Sequence, residues 1–263
     1  MERWRRKIER AKRLHRPSLR DWRRDGFGPS GRRSDDFESF VASAADRDHS
    51  IPRVHCSHLS PQEFWERYEA PGLPVLIEGI PGQQGWRALD RWSFARLSED
   101  PLLRSCKVKC GEDDDGYAVK VKLKHFLRYT THQQDDSPLY VFDSHFDEHK
   151  KARALLDDFA VPDYFPDDLF ETVGERRRPP YRWFLVGPRR SGTMAHIDPL
   201  GTSAWNTVIV GRKRWVIFPP DTDKAIAKGK AVMRDGEDDE PVNFFVDLLP
   251  RLKRTYGDCR MCE

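Results

Sequence analysis

The chain has no apolar run near the ~20 residues that cross a bilayer. Its charged start, M-E-R-W-R-R-K-I-E-R, leads into no apolar stretch of the kind a secretory leader needs. A soluble chain, neither inserted into membranes nor secreted, is therefore expected. Cysteine is sparse and odd in number, at Cys56, Cys106, Cys110, Cys259 and Cys262. Without a leader, that count argues for reduced thiols in an intracellular compartment, not a disulfide framework. Internal repeats are absent. So is strong net charge: 46 Lys and Arg against 43 Asp and Glu leave +3, which alone points to no class of partner.

What is present suffices for a core. The 263 residues are 38% hydrophobic, enough for one large domain or two small ones. A charged fraction of 34% and a mean hydropathy of −0.77 add long polar surface segments around a smaller packed body. The charge is uneven, because basic residues far outnumber acidic ones from Arg3 to Arg24. Trp4, Ile8, Ala11 and His15 recur there at three- and four-residue steps, predicting a basic helix with a thin apolar stripe. A solvated surface helix, a nuclear import signal and a phosphate-contacting arm all fit that pattern. The Gly- and Ser-rich D-G-F-G-P-S-G-R-R-S-D-D reads as a flexible linker.

Further on, Ser60-Pro61-Gln62-Glu63 has the N-cap, first-turn proline and capping-box glutamate of a helix start. Residues 74–80 read as a short buried strand and residues 92–97 as a helix. Residues 107–124 read as strand, acidic turn, strand, with Val119, Val121 and Leu123 on one face and Lys120, Lys122 and Lys124 on the other. That lysine ridge is either an ordinary solvated face or a contact for substrate or nucleic acid. Helices are expected at 125–129 and 149–160, a strand at 137–143, and a loop at the acidic 236–240. After Pro250 the chain is polar, without a core pattern, and is expected to lack structure.

The chemistry concentrates at T-M-A-H-I-D-P-L-G-T-S-A-W-N-T-V-I-V-G-R-K-R-W, residues 193–215. His196 and Asp198 stand two apart, and on a strand such side chains share a face. An imidazole and a carboxylate so placed are two-thirds of the 2-His-1-carboxylate set that holds non-haem Fe(II). H-x-D alone is weak, but its flanks 205–210 and 213–218 are β-rich and joined through Gly211-Arg212, a hairpin signal. In that hairpin Lys213 shares a face with Trp215 and Ile217. It is either an exposed hairpin lysine or a buried one that needs an anion such as a bound dicarboxylate.

The string from Pro179 to Pro219 closely resembles the jumonji-C oxygenases, and within them the arginine demethylase and lysyl hydroxylase subfamily. The resemblance extends upstream through K-C-G-E-D-D-D-G-Y-A-V-K-V-K-L-K and D-D-S-P-L-Y-V-F-D to the basic N-terminal segment. It implies a mainly β fold with N-terminal helices, the cupin double-stranded β-helix. It further implies His196 and Asp198 as iron ligands, and Lys213 as partner of the distal carboxylate of 2-oxoglutarate. By the same resemblance Tyr140, Thr193 and Asn206 hydrogen-bond that co-substrate, and Trp183 stands near the pocket wall. The implied cofactors are Fe(II) and 2-oxoglutarate; the implied substrates are lysine or methyl-arginine side chains of proteins linked to RNA and chromatin. Lysyl C5-hydroxylation in the nucleus is the favoured activity, with a cytoplasmic site also open.

One departure qualifies this expectation. The family completes its ligand set with a later histidine, and no histidine follows His196 here. A truncated or mis-spliced product, a pseudo-enzyme, or a ligand from elsewhere such as Cys259-x-x-Cys262 would each account for that. The first is favoured, and the last set against two unconnected thiols. The expected organisation is a basic arm and linker over 1–50, a helical and hairpin platform over 51–148, and a jumonji-C domain over 149–263 lacking its last strands. The 263 residues alone are expected not to turn over 2-oxoglutarate. The alternative function is a non-catalytic nuclear module that contacts RNA or chromatin through the basic arm and the lysine ridge.

Overall fold

The computed structural model describes residues 2–43, 51–113 and 115–257. Helix α1 (Arg3–His15) forms where the apolar stripe predicts it and buries Trp4, Ile8 and Ala11, with Lys12 beside them. Helix α2 (Ser34–Ser43) follows. Among the described residues, short strands pair into three two-stranded sheets. β1 (Arg53–His55) and β2 (Leu76–Glu78) are parallel. β3 (Lys107–Glu112) and β4 (Ala118–Lys122) form an antiparallel hairpin with a register shift between Lys109 and Glu112. β5 (Val141–Asp143) and β6 (Phe184–Val186) are antiparallel, with Phe142 opposite Leu185. These pieces fit the expected cupin-type architecture with added N-terminal helices. The sheets of the described residues do not close into a barrel.

Alternation explains how the hairpin finds the core. Val119 and Val121 of β4 are buried, while Lys120 and Lys122 point to water. The expected continuation of the strand through Leu123 and Lys124 gives way to a helix, Leu123–Thr130, which buries Leu123, Phe126, Leu127 and Tyr129. α1, both strands of the hairpin, this helix and the inner faces of β5 and β6 share one core. Asp143 ties β5 to β3, since its carboxylate accepts the Lys109 N–H at 2.9 Å and the His145 N–H at 2.9 Å. The capping box at Ser60 forms as read: Ser60 Oγ accepts the Glu63 N–H and Glu63 accepts the Ser60 N–H.

The segment 25–36, expected to be a flexible linker, is instead pinned. Asp136, 4% exposed, accepts the backbone N–H groups of Asp25, Gly26, Phe27 and Gly28 at 2.7 to 3.2 Å. Phe27 is buried against Phe37 and Val242. A side chain at Gly28 would place its Cβ 2.2 Å from the Gln134 carbonyl oxygen, so only glycine lets the two strands of chain lie this close. Composition predicts flexibility here because a distant carboxylate leaves no local signal.

Two further expectations are corrected. Residues 205–218 form no hairpin; one isolated bridge residue, Ile217, is their sole strand-like position. Single side chains anchor the segment instead. Trp205 stacks on Phe165 at 6.1 Å, while Val216 and Phe218 pack against a cluster of Phe244, Leu248, Leu249 and Leu252. That cluster is the second correction, for Leu249–Tyr256 is a helix that buries Leu249 and Leu252. Its Arg251 pairs with Glu237 at 2.6 Å. Cys259 and Cys262 lie outside the described residues.

Asp136→Ala leaves four buried or half-buried amides without their acceptor. At about 1 kcal/mol or more for each donor left unsatisfied, a loss of roughly 4 kcal/mol or more is expected in urea unfolding. A midpoint within error of the parent contradicts the role given to Asp136.

Candidate functional site

β5 and β6 carry the first part of the site. Tyr140 enters β5, and on the outward face Phe142 and Leu185 are exposed. Tyr140 and Phe142 rings lie 5.9 Å apart, and Phe142 and Trp183 rings 6.1 Å apart. This aromatic row leans on close backbone approach. A Cβ at Gly187 would stand 2.3 Å from Ser191 Oγ and 3.4 Å from Tyr140 Cβ. Beyond Gly187 the chain turns through Pro188–Ser191, with Arg190 at φ +72°, a conformation that costs a non-glycine residue about 1–2 kcal/mol. Arg190 is held there because its Nε donates to the Asp135 carbonyl oxygen at 2.9 Å and its other nitrogen to Gln133 Oε1 at 3.0 Å.

The turn delivers Thr193 to Tyr140. Their hydroxyls are 3.0 Å apart. Burial raises the pKa of Tyr140, partly offset by the Thr193 hydrogen bond, so the phenol keeps its proton and remains able to donate.

His196 and Asp198 form the second pair. The strand geometry expected from the sequence is not what joins them; they lie on an irregular segment, both exposed. Even so, His196 Nε2 is 3.3 Å from Asp198 Oδ1. His196 Nδ1 is 2.8 Å from the Met194 carbonyl oxygen. A carbonyl only accepts, so Nδ1 carries a hydrogen, and Nε2 faces the carboxylate, where a proton or a metal ion would bridge the two. The imidazole and carboxylate donors suit Fe(II) at two positions. Among the described residues no group of three or more His, Cys, Asp or Glu gathers round a possible metal, so the described part of the chain offers no third such donor.

Lys213 is the third feature. Its side chain reaches solvent, yet the protein around its ammonium lowers its pKa through desolvation. Its Nζ lies 4.2 Å from the centre of the Trp215 ring. Among the described residues no carboxylate pairs with it. Asn206 is exposed, next to the anchored Trp205. The structure thus brings Tyr140 to Thr193 and His196 to Asp198. No hydrogen bond or ion pair among the described residues joins these two pairs to each other, to Asn206 or to Lys213. Sequence reading missed Arg190, Asp135 and Phe142, of which only Phe142 carries a signal, the i, i+2 step from Tyr140.

The comparisons with known proteins concern this same stretch. The cupin-like domain family matches residues 61–247. The bifunctional arginine demethylase and lysyl-hydroxylase psr-1 of Caenorhabditis elegans is 41% identical over 247 residues, covering 94% of this chain and 58% of the worm protein. The arginine-specific demethylase JMJ22 of Arabidopsis thaliana is 40% identical over 175 residues, 66% of this chain and 32% of the plant protein. The 2-oxoglutarate and iron-dependent oxygenase JMJD4 of Mus musculus is 33% identical over 181 residues, 62% of this chain and 42% of the mouse protein. The chain therefore spans well under two thirds of the length of these relatives. With its family match across most of the sequence and its identity to psr-1 over nearly all of it, the chain belongs to the cupin-like, jumonji-C family, whose members include 2-oxoglutarate and iron-dependent oxygenases.

Proposed function

We propose that this chain carries the co-substrate and metal-binding part of an Fe(II)- and 2-oxoglutarate-dependent protein hydroxylase. Its substrates in this reading are lysyl side chains, hydroxylated at C5, with methyl-arginine demethylation as the alternative at the same site. The observation that carries the reading is a set of ligand-ready groups, all but Tyr140 on the motif 193–215: the Tyr140–Thr193 hydroxyl pair, the facing His196 and Asp198, and an under-solvated Lys213. The names of psr-1 and JMJ22 support the choice of substrate. A nuclear location belongs to the same reading.

The roles follow from chemistry. Lys213 has no anionic partner among the described residues and lies in surroundings that disfavour its charge, and the distal carboxylate of 2-oxoglutarate would supply one. Tyr140, Thr193 and Asn206 supply hydrogen bonds that orient the same molecule, and Trp183 with Phe142 gives an apolar wall. His196 and Asp198 would hold two positions on iron. Bound iron, with 2-oxoglutarate and O₂, supplies the oxidising chemistry; the protein contributes binding, orientation and exclusion of water.

Binding of 2-oxoglutarate in the presence of Mn(II), followed by calorimetry, tests this reading. Lys213→Ala is expected to weaken it at least about tenfold, the scale of a lost charge-assisted hydrogen bond. Equal affinity of parent and variant contradicts the assignment.

A second reading, nucleic-acid contact, is favoured by a specific surface. The pKa of His125 is lowered first by burial and then by Lys124, Arg3, Lys122 and Lys7, which places α1's outer face beside the lysine ridge. Among the described residues none of these four cations makes an ion pair. Arg16, Arg24 and Arg33, by contrast, are paired with Glu240, Asp238 and Asp247, so Arg3, Lys7, Lys122 and Lys124 form a basic face without ion pairs among the described residues. If RNA or DNA binds there, Lys122→Ala with Lys124→Ala should reduce the slope of log affinity against log salt by about two. Fluorescence anisotropy across a salt series measures it, and an unchanged slope contradicts the contact.

A further inference from the structure

We propose that Tyr129 and Lys12 are positioning residues for the Tyr140–Thr193 pair, which makes helix α1 a working part of the co-substrate site. The inference rests on the reading that this pair binds 2-oxoglutarate. It assigns a role to residues that touch neither the co-substrate nor the metal.

The connection runs through one buried carboxylate. Asp135 is 3% exposed, and such a charge needs both a counter-charge and hydrogen bonds. Lys12 of α1 supplies the charge, with Nζ 2.6 Å from Asp135 Oδ2. Tyr129 supplies the hydrogen bond, its hydroxyl donating to the same oxygen at 2.5 Å. The phenol oxygen then accepts the backbone N–H of Leu139 at 3.1 Å. Leu139 is the residue before Tyr140, so the path by which the chain enters Tyr140 is tied to the Lys12–Asp135–Tyr129 chain.

The same residue governs the other half of the pair. The backbone oxygen of Asp135 accepts from Arg190 Nε at 2.9 Å, which holds the left-handed turn that carries Ser191 to Thr193. Both hydroxyls of the pair are therefore referenced to Asp135, one through its side chain and one through its main chain. Tyr140 lines a cavity of about 50 Å³ together with His15, Arg16, Arg190 and Glu240 among others, so the end of α1 and Tyr140 border the same space. Lys12 lies outside residues 61–247, the stretch matched by the cupin-like family; the helix that completes the buried ion pair is an addition to that domain.

The test follows Tyr140 directly, in the full chain, by ¹³C NMR of tyrosines labelled at Cζ. Thr193→Ala fixes the signal expected when the hydroxyl pair is broken. Tyr129→Phe keeps the ring in the core but leaves Leu139 N–H without its acceptor. It is expected to move or broaden the Tyr140 signal towards that of Thr193→Ala, and to weaken 2-oxoglutarate binding about three- to tenfold. Asp158→Asn, at a buried carboxylate bound by Arg91 and Trp92, serves as a destabilised control and should leave the signal in place. A Tyr140 signal unmoved by Tyr129→Phe, or moved equally by Asp158→Asn, overturns the inference. If Tyr129→Phe does not fold, Lys12→Gln, which keeps an N–H donor towards Asp135 while removing the charge, is read against the same signal with the same two outcomes. Failure of the parent chain to bind 2-oxoglutarate overturns the functional reading, and with it the role of the pair in binding. The Tyr140 signal still decides whether Tyr129 and Lys12 position it.

Discussion

A carboxylate taken out of water has to be neutralised and hydrogen-bonded where it sits, and Asp135 and Asp136 meet that requirement by drawing the N-terminal segment around them. Asp136 collects successive backbone amides from residues 25–28. Asp135 collects Lys12, Tyr129 and, through its carbonyl, Arg190. Breaking a buried ion pair on one side typically costs about 3–5 kcal/mol, so these contacts constrain far more than their number suggests. They turn a basic segment that composition would leave in solvent into a layer of the main core.

This constraint reaches the site because the two aspartates immediately precede Ser137-Pro138-Leu139-Tyr140. Whatever fixes Asp135 also fixes the entry into β5, and Arg190 brings the chain after β6 back to the same point. The outer face of β5 and β6 then presents Tyr140, Phe142, Trp183 and Leu185 together. The motif beyond Thr193 is held more loosely. Trp205 is its anchor in the aromatic cluster of Trp86, Phe159 and Phe165, whereas Ile197 is 76% exposed. His196 and Asp198 meet through local turn geometry and the Met194 carbonyl, not through a sheet.

Much of the local structure is legible in the sequence, since it depends on spacing. The stripe on α1, the alternation at Val119 and Val121 and the capping box at Ser60 all appear where periodicity and cap chemistry put them. The family and the motif are legible as well, through the string from Pro179 to Pro219. What could not be read depends on contacts between distant residues. The linker composition of 25–36 says nothing of a carboxylate more than a hundred positions away. The β-rich runs at 205–218 satisfy every local rule for a hairpin, but no ladder forms, because side-chain anchors on other elements decide where the chain lies. Leu249 and Leu252 look isolated in a polar tail until Phe244 and Leu248 are seen on the same helical face. Lys12 reads as one more surface lysine, and only its distance to Asp135 gives it a separate role.

Native-state hydrogen exchange of individual amides tests the dependence on the aspartate pair most directly. Asp25, Gly26, Phe27 and Gly28 lie in a stretch without helix or strand, and Leu139 donates to a side chain. If Asp135 and Asp136 hold this part of the fold together, these amides exchange slowly, with protection comparable to that of the Leu123–Thr130 helix. Exchange at the rate of an exposed loop, while that helix stays protected, would contradict it.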